Sequence, residues 1–523
     1  MKNFRHIMLA AAAAATALGA DARNPYLPLW EFIPDGEPYV FEDPDNPGKM
    51  RVYIYGSHDN LIDQYCGRDQ VVWSAPVDSL DRWRYDGIIF ECKRDRDGNL
   101  LNPDGIGDVL YAPDVALKIG KGGEKTYYLY PNVQGERNNV VAKSSRPDGP
   151  FEVCNWSADD PRKGVGPFAF DPAAFVDDDG RAYGYWGFDH AYAAELDTAT
   201  MATVKPGTEI VDMVPGRNED RTFRFYEASS IRKIKDKYVF VYSRWTNPGE
   251  CGLPGSNYTL AYAYSNTPLG PWTYGGTIID GRGIERRPDG TNAVTATPNG
   301  NTHGSICEIN GKWWVFYHRQ AGTDEYGRQA MVAPIDVEVI EGPDGYVRIG
   351  QAEFTSEGFE TGGLDPLRYT PAGIACYFTG PAPAYQKYPK VVYPGSHIEN
   401  LRIEYDGKTA PYSPAIDRSY MVNNTPGSTV GYKYFDLSKT YGTDGRRIAV
   451  DYAPEAGGTM EIWLDRPNRA EGGVKLGELK IPAETEAALP DLGKYNGKHA
   501  LFFVFTDGTE GASVATLKGF EIK

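Results

Sequence analysis

Between Phe170 and Trp186 a carboxylate, Asp171, opens a short apolar run, Asp177-Asp178-Asp179-Gly180 reverses the chain, and alternating aromatics follow through Tyr183 and Tyr185. This pattern predicts a β-hairpin with an acidic residue at the mouth of its first strand. The pattern is written five times. The other copies run Gly36–Ser57, Ala112–Tyr130, Tyr226–Ser243 and Thr302–His318, and the five open on Glu37, Asp114, Asp171, Glu227 and His303, 56 to 77 residues apart. A fixed all-β unit at that spacing predicts the blades of a propeller, whose first strands line a central channel. Four carboxylates and one imidazole would then face one another. A sandwich of tandem hairpins is the competing fold, but it gives no reason to repeat a buried acid.

A second, weaker repeat supports the blades. Ser74–Trp83, Ser144–Phe151 and Ser265–Trp272 each follow an aromatic strand, and their Pro and Gly residues set a turn into an outer strand. The propeller is expected over residues 24–357. A Gly-, Pro- and Thr-rich stretch, 358–390, reads as a linker or covering segment. From residue 391 to 523, strands such as Gly431–Phe435, Arg447–Tyr452, Thr459–Leu464 and Ala500–Phe505 alternate apolar and polar residues, which predicts a jelly-roll-like β-sandwich.

The 523 residues carry 59 Gly, 38 Pro and 36 Tyr, as expected of a turn-rich β protein. A net charge of −17 argues against nucleic acid or an anionic membrane as partner and is indifferent to neutral polysaccharide. Residues 1–22 read as a secretory leader: Lys2 and Arg5 precede an apolar, alanine-rich run with small-residue cleavage options after Ala20 or Ala22. The run is too short for a permanent span, so the expectation is an exported, soluble, periplasmic or extracellular monomer. Six scattered cysteines form no Cys-x-x-Cys pair, which argues against a zinc cluster. The Asp177–Gly180 turn lacks the further ligands of an EF-hand and reads as a solvated hairpin tip.

Carboxylates that converge in a channel are costly unless they share protons, bind a cation or do chemistry. Glycoside hydrolysis uses that arrangement, with one acid kept protonated for the leaving oxygen and one ionised carboxylate for water. The order Glu37-Pro38, Ala112-Pro113-Asp114, Asp171-Pro172, Glu227-Ala228 and His303-Gly304-Ser305 resembles glycoside hydrolase family 43. That family comprises five-bladed propellers of inverting α-L-arabinofuranosidases, β-xylosidases and arabinanases. The resemblance implies Glu227 as general acid and Asp171 as the carboxylate that tunes and orients it. It places Glu37 where the family has its aspartate base, with Asp35 two residues earlier as the other candidate and otherwise a substrate contact. Glu37 is preferred, because Glu37–Phe41 aligns with Asp171–Phe175 without a gap.

The resemblance further implies that Asp114 and Arg328 contact substrate and that His303 reaches a structural calcium in the channel, with no cofactor needed for the chemistry. Trp73 and Trp186 are candidate sugar-stacking platforms. The C-terminal stretch is similar to carbohydrate-binding module family 6. Together these imply an arabinofuranosidase or xylosidase acting on arabinose- or xylose-containing glycans. The alternative is a non-catalytic, glycan-binding propeller, motivated by the departure at Glu37.

Overall fold

The structure, a computed structural model, describes residues 22–298, 300–400, 419–441 and 445–523. All but the last residue of the expected leader lies outside them.

Each predicted hairpin is present and continues outward as an up-and-down sheet. The first sheet is β1 (Glu37–Glu42), β2 (Met50–Tyr55), β3 (Gln70–Pro76) and β4 (Arg84–Phe90), and the second is β5 (Asp114–Ile119), β6 (Lys125–Tyr130), β7 (Ala142–Ser144) and β8 (Glu152–Val153). The third has three strands, β9 (Ala173–Val176), β10 (Ala182–Trp186) and β11 (Tyr192–Leu196). Single bridges from β11 to Val204 and Ile210 stand in for its outer edge. The fourth is β12 (Phe225–Ile234), β13 (Lys237–Arg244), β14 (Thr259–Ser265) and β15 (Thr273–Asp280). A short hairpin, β16 (Ile284–Arg286) and β17 (Asn292–Val294), precedes the fifth sheet of β18 (Ser305–Ile309), β19 (Lys312–Gln320) and β20 (Arg328–Ile335).

The ring closes through five interblade cores. Aromatic and β-branched residues on the middle strands interleave between neighbours: Tyr53 and Tyr55 with Leu129, Tyr130 with Trp186, Tyr185 with Phe240, Val241 with Val315, and Phe316 with Ile54. The last of these joins blade five to blade one. The first described residues reinforce that join, since Asn24 exchanges hydrogen bonds with the Val332 backbone (2.7 and 2.9 Å) and Tyr26 N–H donates to Ala330.

The C-terminal unit is a two-sheet sandwich. One sheet runs His397–Ile398, Met421–Val422, Ala515–Ile522, Arg447–Pro454, Glu486–Ala488; the other runs Tyr377–Thr379, Thr429–Asp436, Lys498–Thr506, Gly458–Leu464, Val474–Ile481. Thr370–Pro371 also pairs with Ala515–Ile522. The sandwich therefore starts near residue 370 rather than 391, and part of the expected linker is edge strand. Those edges are two or three residues long, too short to show an alternation in sequence.

The two units share one apolar core, in which Val315, Tyr317 and Met331 of the propeller meet Phe378, Val430 and Tyr432 of the sandwich. Buried Arg319 on β19 donates to the carbonyls of Ala375 (2.7 Å) and Gly373. All six cysteines are free thiols. Among the described residues no helix is long and apolar enough to cross a membrane.

Candidate active site

At one end of the channel the blades leave a cavity of about 520 Å³. Asp35, Asp171, Glu227 and His303 reach it from four blades, and Arg328 from the start of β20. Local backbone aims two of these positions and the neighbour of a third: Asp35, Asp171 and Ala228, which follows Glu227, are left-handed, with φ of 60°, 42° and 69°. A non-glycine residue held so costs about 1–3 kcal/mol, and such strain gathers at functional sites. Glu227 also sits in an interrupted register between β12 and β13, a bulge that turns its side chain toward the channel mouth.

Asp35 is held as an anion. The Arg328 guanidinium donates to both its oxygens (3.0 and 3.2 Å), and the Ser57 hydroxyl donates to Oδ2 at 2.5 Å. Burial pushes this carboxyl up, but Arg328, the nearby imidazoles and Ser57 outweigh it and keep it below the usual carboxylate range. Of these, Arg328, the charged His303 and Ser57 carry the effect, because His318 is neutral. Burial drives the His318 imidazole down to about 3. Its Nε2–H donates to the Asn301 carbonyl (2.9 Å), which leaves Nδ1 to accept the Asp35 backbone N–H (3.3 Å). Arg328 is fixed in turn by Asp59, which accepts from its Nε and Nη2 at 2.9 and 2.8 Å.

Glu227 has the opposite environment. Burial, then the Asp171 carboxylate and Asp35, push its pKa well above the ordinary glutamic value, and His303 and Arg328 offset this only in part. Asp171 also ties down the adjoining backbone: its Oδ2 accepts the Ala228 N–H at 2.9 Å, while Oδ1 accepts from Asn132 Nδ2 at 3.0 Å. One carboxylate thus both positions Glu227 and favours its proton. His303 completes the floor, with Nδ1 3.5 Å from Asp171 Oδ2; despite burial, Asp171, Asp35 and Glu37 raise its pKa to about 9.

Glu37 and Asp114 are not in the cavity wall. Both lie beneath it in a second buried layer. Glu37 Oε2 accepts from Arg232 Nη2 (2.8 Å) and the Ser230 hydroxyl (3.1 Å), and Asp114 accepts from the Tyr39 hydroxyl (2.6 Å) and the Ala174 N–H (2.8 Å). Strand starts explain the shift. Glu37, Asp114, Ala173 and Ser305 are the first residues of their strands, so Asp35, Ala112, Asp171 and His303 are their counterparts two residues earlier. These counterparts lie just ahead of the strands, Asp35 and Asp171 in left-handed backbone, and all four line the cavity. The ungapped alignment of Glu37 with Asp171 is thus corrected: the blade-one partner of Asp171 is Asp35.

Trp73 and Trp186 are not platforms either. Trp73 packs in the core between blades one and five and donates Nε1–H to Glu31 (2.8 Å), while Trp186 stacks on Tyr192 between blades two and three. Middle-strand aromatics face neighbouring blades rather than the channel. The cavity's aromatic wall comes from loops and the start of β12, and the sequence did not assign these residues to it: Tyr111, Phe170, Phe188, Tyr226 and Trp245 follow one another in edge or tilted contact, and Arg217 stacks on the last two. Tyr65, whose hydroxyl donates to buried Glu325, and Gln386 and Tyr388 of the C-terminal unit complete the wall.

The expected calcium was tested against the donors around His303. His303 Nε2 and Glu37 Oε1 are buried without a hydrogen-bond partner and stand 3.9 Å apart. Such a pair fits a bridging water or a cation that keeps most of its own water. Calcium takes six to eight oxygen ligands, and here one carboxylate oxygen faces the gap.

The glycosyl hydrolases family 43 model matches residues 51–339. A xylosidase/arabinosidase of Thermoclostridium stercorarium is 33% identical over 521 residues, covering 95% of this chain and 98% of its own length. An arabinoxylan arabinofuranohydrolase of Paenibacillus polymyxa is 22% identical over 519 residues, covering 94% and 71%. Among solved structures, a family 43 arabinoxylan arabinofuranohydrolase of Bacillus subtilis in complex with cellotetraose is 21% identical, covers 96% of this chain and 98% of its own, and has a TM-score of 0.45.

Proposed function

The chain belongs to glycosyl hydrolase family 43, and on that premise we propose that this glycoside hydrolase releases single arabinofuranosyl or xylosyl units from plant cell-wall glycans with inversion at the anomeric carbon. The observation that carries the reading is the opposed electrostatics of two carboxyls in one pocket: Asp35 held ionised by Arg328, Glu227 held protonated by burial and Asp171. In this mechanism Glu227 gives its proton to the glycosidic oxygen as that bond breaks. Asp35 takes a proton from the water that attacks the anomeric carbon from the opposite face. Each turnover leaves Glu227 ionised and Asp35 protonated, and solvent restores both.

Asp171 acts through Glu227, by field and by its grip on the Ala228 N–H. The relatives, a xylosidase/arabinosidase and an arabinoxylan arabinofuranohydrolase, support pentose-containing substrates. A pocket with buried acids at its floor and an aromatic wall favours a terminal or branching unit over the middle of a chain. A hydrated calcium ion there would need His303 Nε2 unprotonated beside Glu37 Oε1, and would then supply beneath the carboxylates the positive charge that the imidazolium supplies without it. Export through the 1–22 leader belongs to the same proposal. The binding-only alternative weakens, since the departure at Glu37 that motivated it lies outside the pocket.

The test compares wild type with Glu227→Ala on arabinoxylan and on the 4-nitrophenyl arabinofuranoside and xyloside. Loss of an acid hurts least when the leaving group needs no proton. The variant is therefore expected to lose about 10²–10⁴-fold on the polysaccharide and much less on the nitrophenyl substrates. Equal losses on both would count against Glu227 as the acid. Proton NMR of the first-formed anomer reads the stereochemistry, and a retained configuration would rule out the water-activating role of Asp35.

A further inference from the structure

The sandwich sends the hairpin Tyr385–Lys387/Lys390–Val392 back over the propeller, and two of its side chains, Gln386 and Tyr388, line the catalytic cavity. We propose that these two residues contact the glycan directly, Gln386 through a hydroxyl of the bound sugar and Tyr388 through the face of the leaving unit, so that the C-terminal unit sets substrate preference.

This rests on the glycosidase reading above. Gln386 Nε2 is buried with no hydrogen-bond partner, although the residue lines the catalytic cavity. An unmet buried donor is expensive, and a sugar hydroxyl is the acceptor this pocket would receive. Tyr388, two residues on at the turn, is 73% exposed. The carboxylates of Asp35 and Asp171, by contrast, are buried at the floor. A ring at the mouth meets the part of the glycan that departs, and an aromatic face with a hydroxyl handle suits a pyranose or furanose ring.

The hairpin is held for this purpose by the propeller. Val391 N–H donates to Thr323 (2.9 Å), Glu325 N–H to Pro389 (3.2 Å) and Gly322 N–H to Ile398 (2.8 Å), so the turn bearing Glu325 and Arg328 and the hairpin form one block. Asn400 sits where a Cβ on Gly322 would fall, 2.5 Å away, and that glycine is left-handed at φ 83°. The approach is therefore close by construction.

The experiment uses the full chain with Gln386→Ala, Tyr388→Ala and Tyr388→Phe. It measures kcat/KM on a glycosyl fluoride, which has no leaving sugar, and on an oligosaccharide of the same glycosyl unit. Thermal unfolding is followed for each variant. Tyr388→Ala is expected to lower the oligosaccharide-to-fluoride ratio roughly 5- to 10-fold, with Tyr388→Phe restoring it. Gln386→Ala is expected to lower kcat/KM on both substrates roughly 3- to 10-fold, through KM, at wild-type melting temperature. An unchanged ratio and unchanged constants, with Glu227→Ala still inactive on polysaccharide, would overturn the inference and leave the catalytic reading standing. Equal losses on both substrates for Tyr388→Ala with a lowered melting temperature would mean a bracing role and would overturn it too. Wild-type activity of Glu227→Ala on the polysaccharide would remove the premise itself.

Discussion

Asp35→Ala and Glu37→Gln, made separately, would divide chemistry from support. Asp35 faces the cavity and Glu37 lies a layer below it. Removing the Asp35 carboxylate leaves Arg328 with Asp59, which accepts from its Nε and Nη2, so the pocket keeps its shape while losing its water-activating group. A positioned base is worth about 10²–10⁴-fold. The expected result is a loss of that size in kcat with little change in melting temperature. Azide should restore part of the rate by entering the vacated space as a nucleophile that needs no base.

Glu37→Gln keeps volume and an acceptor for Arg232 and Ser230 but removes a charge from a largely buried ion pair. Breaking such a pair costs about 3–5 kcal/mol. The lower end applies here. Burial and the Glu37 carboxylate hold Asp114 up near 7, and without Glu37 it ionises more readily and becomes the counterion of Arg232. At the roughly 2 °C per kcal/mol of a larger domain, a loss of about 3 kcal/mol lowers the melting temperature by about 6 °C. Initial rates on 4-nitrophenyl arabinofuranoside, below the melting range, should fall less than about 10-fold. If Glu37→Gln proved as inactive as Asp35→Ala while melting like wild type, or if Asp35→Ala kept a tenth of wild-type activity, the register argument would be wrong.

The pH profile of kcat/KM should be a bell. Activity falls at low pH as Asp35, whose pKa is lowered, takes up a proton, and falls at high pH as Glu227, whose pKa is raised, loses its own. Because Asp171 supports the Glu227 proton, Asp171→Asn should move the alkaline limb to lower pH besides reducing the rate; an unmoved limb would deny that role. His58 supplies a stability test away from catalysis. Although burial opposes its charge, Asp69 (2.7 Å) and Glu31 raise the imidazole to about 10. A raised pKa contributes stability that is complete below the unfolded value of about 6.5 and fades as pH rises toward 10. The gap in unfolding free energy between wild type and His58→Gln should therefore narrow between pH 6 and pH 10, and a gap constant across that window would refute the charged pairing.

The blades were legible because each middle strand carries aromatics at a period of two between Gly- or Asp-rich turns. The depth of each channel residue was not. Asp35 lies just ahead of the strand that Glu37 opens, so alternation cannot rank them, and the ungapped alignment through Pro38 favoured the one outside the cavity. The partners that rank them, Arg328 and His318, lie some 290 residues away in sequence. Trp73 and Trp186 show the same limit from the other side, since alternation says that they are inward without saying toward which neighbour. The aromatic wall and the hairpin at Tyr388 come from loops and edge strands whose placement depends on the finished ring.

Two stacked layers of charge make the site more than three acids in a hole. Below, Glu37 and Asp114 share one cation, Arg232, and the surplus shows as a proton that Asp114 holds until about neutral pH. Above, Asp35, Asp59, Asp171 and Glu227 face Arg328 and a protonated His303, so carboxyls again outnumber cations. The surplus could have spread over every acid in the upper layer. It does not, because Arg328 bonds Asp35 and Asp59 directly, and Asp171 takes a backbone N–H and an amide. Glu227, on its bulge, is left as the group for which protonation costs least. The lower layer matters to this outcome through His303, which stands between Glu37 and Asp171 and stays charged because it has carboxylates on both sides. An acid catalyst is thereby selected by where the cations are spent, and the five-fold repeat that placed so many carboxyls in one channel is what made that selection available.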